Sequence, residues 1–170
     1  MTEAKRLADE LRLSDERHRG FVENSSEGIY LCEFDTPLPV DLPEDEQILR
    51  LPTDCFFAVC NDAFARMYSY ESGQQMIGMR AIDLYRTHDN EANTEFMRLM
   101  VRNRYRVSGQ ISEEFDADGN RRVFSNNCLG IVEDGHLQRV WGTQRDITEQ
   151  VQAEEALRES AVSYTHLTLP

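Results

Sequence analysis

From Val107 to Asp146 the sequence reads as three β-segments in a row with only turn-formers between them. Val107 to Phe115 and Arg122 to Val132 are rich in β-formers and are separated by a turn signal over Asp116 to Asn120. The pair Asp134-Gly135 then marks a two-residue hairpin leading into a last segment, Leu137 to Asp146. Strands joined this closely pair antiparallel, because a parallel neighbour needs a crossover of about a dozen residues or more. The C-terminal half is therefore a meander, and any helices lie against a face of it.

The upstream sequence supplies the rest. EGIYLCEF (Glu27 to Phe34) and DCFFAVC (Asp54 to Cys60) read as two further strands. Asn61 is placed to N-cap a short helix whose Ala63, Phe64 and Tyr68 face the core. Helical turns follow around Ser72 to Met76 and Ala81 to Tyr85, with a break at Gly78. A longer helix over Asn90 to Tyr105 carries Phe96, Met97, Met100 and Val101 on one face. The expected fold is α+β: a five-stranded antiparallel sheet with short helices on one face and room for a pocket between the layers. Between the first two strands, residues 35–53 gather four of the five prolines and most of a run of acidic side chains. Proline cannot donate to a sheet ladder, so this stretch is expected to be an insertion loop with one helical turn near Glu44 to Leu49.

A helix over residues 1–22 carries Leu7, Leu11, Ser14, His18 and Phe21 at heptad spacing. It suits either a pairing helix or a surface helix docked on its own domain. At the other end, from about Ile147, VQAEEALRES is charged and has almost no apolar stripe of its own, so residues 149–161 read as a helix leaving the domain. The final nine residues, VSYTHLTLP, back-translate to GTC TCT TAT ACA CAT CTG ACG CTG CCG. That is the mosaic-end adaptor of transposase-made sequencing libraries read in frame, so residues 162–170 are expected to be a translated adaptor and the gene to continue differently after Ser160.

A net charge of −13 argues against nucleic-acid or anionic-membrane binding. The longest apolar run, CFFAVC, is too short to span a bilayer and no signal peptide is read, so a cytoplasmic location is expected. Cys32, Cys55, Cys60 and Cys128 show no C-x-x-C spacing, and simple alternation sends Cys55 and Cys60 to opposite faces, so no metal site is expected.

In combination, four pieces resemble a PAS domain, the sensor module of bacterial signalling proteins. They are SDERHRGFVENSSEGIY (Ser14 to Tyr30), CNDAFARMYSYES (Cys60 to Ser72), IGMRAIDL (Ile77 to Leu84) and VWGTQRDITE (Val140 to Glu149). The resemblance implies a PAS domain over residues 23–148 with connector helices at both ends. It also implies membership of a multidomain protein, a sensor histidine kinase first, a cyclic-di-nucleotide enzyme or transcription regulator next, with the output domain in cis. Trp141, Asp146, Ile147 and Thr148 then stand where signal passes from the last strand to the helix, Thr148 as its cap. An echo between Leu11-Arg-Leu-Ser14 and Leu157-Arg-Glu-Ser160 suggests a second PAS copy downstream.

No nucleophile–base constellation, phosphate loop or H-E-x-x-H is present, so no catalysis is expected of this chain. By the resemblance, His88 is the one candidate haem ligand, but its setting, RTHDNEAN, is hydrophilic and haem is not expected. Flavin photoadduct chemistry needs a Cys near the Gly78 bend, where the chain reads GMRAIDLY. Alternation puts Val140, Gly142 and Gln144 on one strand face, and Gln144 falls where light-oxygen-voltage domains place a flavin-contacting Gln. On the next strand Ser125, Asn127, Leu129 and Ile131 align with the same interior, so Ser125, Asn127, Gly142 and Gln144 are the pocket candidates. A filled or water-containing core, in which these amides bond to backbone or water, is the favoured reading, and a small polar ligand is the alternative. The opposite face would show Phe124, Cys128, Val132 and Trp141, covered by Phe21 and Val22 of the N-terminal helix or by a second subunit. A ligand-free dimerisation module is the alternative function.

Overall fold

The computed structural model describes residues 2–85, 90–115 and 118–167. Helix α1 (Glu3–Glu23) leads into β1 (Gly28–Pro39), α2 (Glu44–Asp54) and β2 (Cys55–Cys60). Helices α3 (Asp62–Met67), α4 (Ala81–Tyr85) and α5 (Asn90–Arg102) follow, then β3 (Arg106–Phe115), β4 (Arg121–Glu133), β5 (His136–Asp146) and α6 (Thr148–Leu167). The strands form one antiparallel five-stranded sheet in the order β2-β1-β5-β4-β3. The chain thus returns from β3 through the meander to lay β5 beside β1, at the centre.

The expected α+β architecture is the one observed. Asn61 is the N-cap of α3, its Oδ1 accepting from Phe64 N at 3.0 Å. Oδ1 also accepts from Ile29 N, while Nδ2 donates to the carbonyls of Val22 and Glu27. One side chain therefore pins the end of α1 and the start of β1 to α3. The expected turn at Ser72 to Met76 is a 3-10 turn, Gly73–Gln75, closed by a Ser72/Gln75 capping box. Helix α5 stops at Arg102, ahead of the expected Tyr105, because Arg104 (φ 53°) and Tyr105 (φ 61°) are left-handed. The Asp134-Gly135 hairpin forms as expected, both residues at positive φ. Part of the expected turn at Asp116 to Asn120 lies outside the described residues.

Residues 35–53 are not a loop. β1 runs on to Pro39, and α2 spans three turns. The prolines fit because β2 pairs with β1 only as far as Phe34↔Cys55. Beyond that point β1 pairs with β5 alone, through Leu38↔Leu137 and Pro39↔His136, so Pro37 and Pro39 lie where one side of the strand is an open edge. Helix α2 buries Gln47, Ile48, Leu51 and Pro52, and Leu38 is fully buried, so this segment builds part of the core. Gln47 locks it: Nε2 donates to the carbonyls of Val40 and Leu42, and Oε1 accepts from Tyr105.

Helix α1 buries no residue, and Leu7, Leu11 and Phe21 are exposed. It neither docks on the domain through these residues nor covers the sheet with Phe21.

Candidate functional site

All the core helices lie on one face of the sheet, and a cavity of about 760 Å³ opens between the layers. That is within the usual range for small-molecule sites. Its floor comes from the inner sheet face: Tyr30, Cys32 and Phe34 on β1, Val140 and Gln144 on β5, Asn126 on β4. Its roof comes from Phe64 and Tyr68 around α3, Leu84 on α4, Leu51 on α2 and Phe96, Met97 and Met100 on α5. Strand β3, residues 110–114, forms one lip. The aromatic wall is continuous: ring centroids are 4.7 Å apart for Tyr30–Phe64, 5.6 Å for Phe57–Phe64 and 5.0 Å for Phe64–Tyr68.

Gln144 is the polar centre of this wall and is 2% exposed. Burial holds the Tyr68 phenol far above its ordinary range, with the charge of Glu114 adding to the effect, so its hydroxyl stays a donor. It donates to Gln144 Oε1 at 3.0 Å and so fixes the amide. Gln144 Nε2, turned the other way, is buried and has no hydrogen-bond partner. A donor left in that state costs about 1–3 kcal/mol, which makes it a waiting partner for an acceptor inside the cavity. Asn126, paired directly with Gln144, donates through Nδ2 to Ser112 Oγ and to the Gln110 carbonyl.

Of the four pocket candidates, only Gln144 lines the cavity. Asn127 is exposed on the outer face, where it bonds Gly109 N and Thr143 Oγ1. Ser125 pairs with Arg145 on that same outer face. The cause is a single extra residue. Counting back from the Asp134-Gly135 hairpin in perfect register sets Gln144 opposite Ser125. In the structure Val132 pairs with Leu137 but Ile131 with Arg139, so Gln138 is a bulge and Gln144 faces Asn126. One slip turns the whole strand over. Phe124 and Cys128, expected outside, are therefore buried inside, and Asn126 is the interior residue that strand alternation missed. Gly142 shares the inner face but serves Tyr30: a Cβ there would lie 2.0 Å from the Tyr30 ring.

A second bulge, at Ala58, pairs Cys60 with Tyr30 and Phe57 with Cys32, so Cys60 joins Cys55 on the inner side rather than opposing it. Three of the thiols are held above their ordinary range. The Cys55 contact and burial push Cys32 well up, burial raises Cys60 to about 12, and burial raises Cys128 to about 11. Among the described residues no group of three or more His, Cys, Asp or Glu is arranged to hold a metal ion. His88 lies outside the described residues.

At the strand-to-helix junction Asp146 Oδ1 accepts from Thr148 N (2.9 Å) and Thr148 Oγ1 (2.5 Å). The capping is done by Asp146. Thr148 instead accepts from Val123 N at 2.9 Å, and Ile147 N donates to the Val123 carbonyl, so both tie the start of α6 to β4. Trp141 lies on the outer face opposite Leu129, 38% exposed.

A five-stranded sheet in this order, cupping short helices around a cavity and ending in an outgoing helix, defines one class of α+β domain. The family description that matches is the PAS fold, over residues 48–152, and the chain belongs to the PAS family. It is similar to an RNA-binding light-oxygen-voltage receptor at 17% identity and TM-score 0.60, with 94% of this chain aligned. It spans only 40% of that receptor's length. A PAS domain from Colwellia psychrerythraea matches at 17% identity and TM-score 0.52, over 79% of this chain and 97% of that one. The light-oxygen-voltage protein of Rhodobacter sphaeroides matches at 17% identity and TM-score 0.52, over 84% and 72%. At these identities the likeness is one of fold. None of the curated proteins compared matches this chain.

Proposed function

We propose that this chain is the input module of a multidomain bacterial signalling protein, in which a small molecule held in the cavity alters how α6 leaves the sheet. The buried, unpartnered Nε2 of Gln144 carries this reading. It asks for a ligand that presents a hydrogen-bond acceptor to an otherwise aromatic and apolar wall. The ligand class is a neutral aromatic molecule with a carbonyl or ring-nitrogen acceptor. Neutrality follows from the lining: the cations at the mouth, Arg98 and Arg102, already pair with Glu95 and Glu44. Binding is non-covalent; neither haem nor a flavin adduct enters the reading.

The output domain lies in cis beyond α6, with a histidine kinase as the first candidate, and the chain itself is not catalytic. Support comes from α6 itself: only Thr148 is buried, so the helix contributes almost nothing to this domain's core. The cytoplasm is the proposed compartment; among the described residues no helix is long and apolar enough to cross a membrane. Two copies associate through the outer sheet face and flanking helices, for which exposed Trp141, Leu129 and Ile111 and the bare Leu7 and Leu11 of α1 speak. A module that only dimerises is the second reading, favoured by that same patch.

A thermal-shift screen with neutral aromatic carbonyl and aza-aromatic compounds tests the ligand reading. A true ligand at about 100 times its Kd stabilises the chain by about 2.7 kcal/mol. The shift should vanish in Gln144→Leu and persist in Asn127→Leu, whose side chain lies outside. No shift in the native chain, or one equal in both variants, would favour the dimerisation reading.

A further inference from the structure

We propose that Arg121 is the joint through which the β3 lip of the cavity holds the outgoing helix, an inference that rests on the sensing reading above. Arg121 opens β4 and lies on its outer side, two residues from Val123, to which α6 is tied. Its Nη1 donates to Glu155 on the second turn of α6 at 3.0 and 3.2 Å. Its Nη2 donates to Glu113 on β3 at 2.9 Å. One planar guanidinium thus bridges two carboxylates from two elements, an arrangement that suits its fixed fork.

The connection matters because of what Glu113 stands beside. Gln110, Ser112 and Glu114 share a face with their partners Asn126, Phe124 and Arg122, while Glu113, itself on the cavity lip, alternates to the face of Val123 and meets Arg121. A ligand that displaces the β3 lip moves Glu113 with it, since alternate residues of one strand share one backbone. Arg121 then follows Glu113 or keeps Glu155, and the tilt of α6 changes. Among the described residues no other ion pair joins α6 to the sheet. Glu113 and Glu155 are each half-exposed, so the joint is weak enough to switch and open to screening by salt.

Hydrogen exchange of the α6 amides in the full chain tests this. Arg121→Gln and Glu155→Gln should each speed exchange over residues 150–158 by about two- to five-fold, the range of an exposed ion pair. Melting temperatures should stay near that of the native chain. Glu113→Gln should speed the same amides, and about 1 M NaCl should bring the native chain to the variants' rates. The triple reversal Glu113→Arg, Arg121→Glu, Glu155→Arg should restore protection, which a role in folding alone would not. Unchanged α6 exchange in Arg121→Gln, or in Glu113→Gln, overturns the joint. Aromatic probes that bind yet leave α6 exchange unmoved in the native chain overturn it as well, while the cavity stands as a ligand site. Faster exchange in the variants with no probe bound keeps the joint and removes the sensing.

Discussion

Gly142 shows how far one residue can constrain this domain. It sits at the centre of β5, opposite Cys128 and Tyr30, and the Tyr30 ring occupies the space a side chain would fill. Tyr30 in turn packs at a tilt against Phe64 and bonds Cys128 Sγ, so the aromatic wall of the cavity rests on that empty position. Gly142→Ala should cost about 1–3 kcal/mol, read as a lower urea midpoint with an unchanged slope. An alanine variant as stable as the native chain would mean that Tyr30 is free to leave the wall.

Elements decided where strand alternation succeeded and where it failed. Asn61 was legible as a cap because a cap is a local device; its bonds to Val22, Glu27 and Ile29 were not, because those partners are brought by the fold. Gln144 was legible as an interior residue on its own strand. Its neighbour was not, since the Gln138 bulge carries no sequence signal and turns β4 over. Small inner residues added to the confusion: Gly130 faces inward because Tyr105 and Leu137 fill the space above it, while the larger Leu129 faces out. Residues 35–53 were misread because proline argues against strands in general, whereas here it marks the stretch of β1 that lacks a second partner. Deleting Gln138 tests the bulge. Without it, Val132 still pairs with Leu137 and Ile131 with Arg139 in unbroken alternation, so Asn126 stays opposite Gln144 and the variant should keep its cooperative thermal unfolding. A variant that loses cooperative melting would show that Gln138 does more than offset the register.

At the scale of the whole molecule, the layers divide the work. The inner face of the sheet holds the cavity, the outer face presents Trp141 beside Leu129 with Ile111 further out, and α6 departs from the end of β5. The charge of −13 keeps copies apart unless an apolar patch brings them together. Trp141→Glu should therefore reduce self-association in sedimentation velocity while leaving stability within about 0.5 kcal/mol, as for a surface position. Unaltered association would remove the outer face from the proposed dimer contact.

Native mass spectrometry of the full chain, purified from a bacterial host without denaturation, tests the central claim that Gln144 and its aromatic wall hold a molecule. The account predicts a population heavier than the polypeptide by one small neutral organic compound, present in Trp141→Glu and lost in Gln144→Leu. Bare polypeptide mass throughout, or the same added mass at equal occupancy in Gln144→Leu, would contradict it.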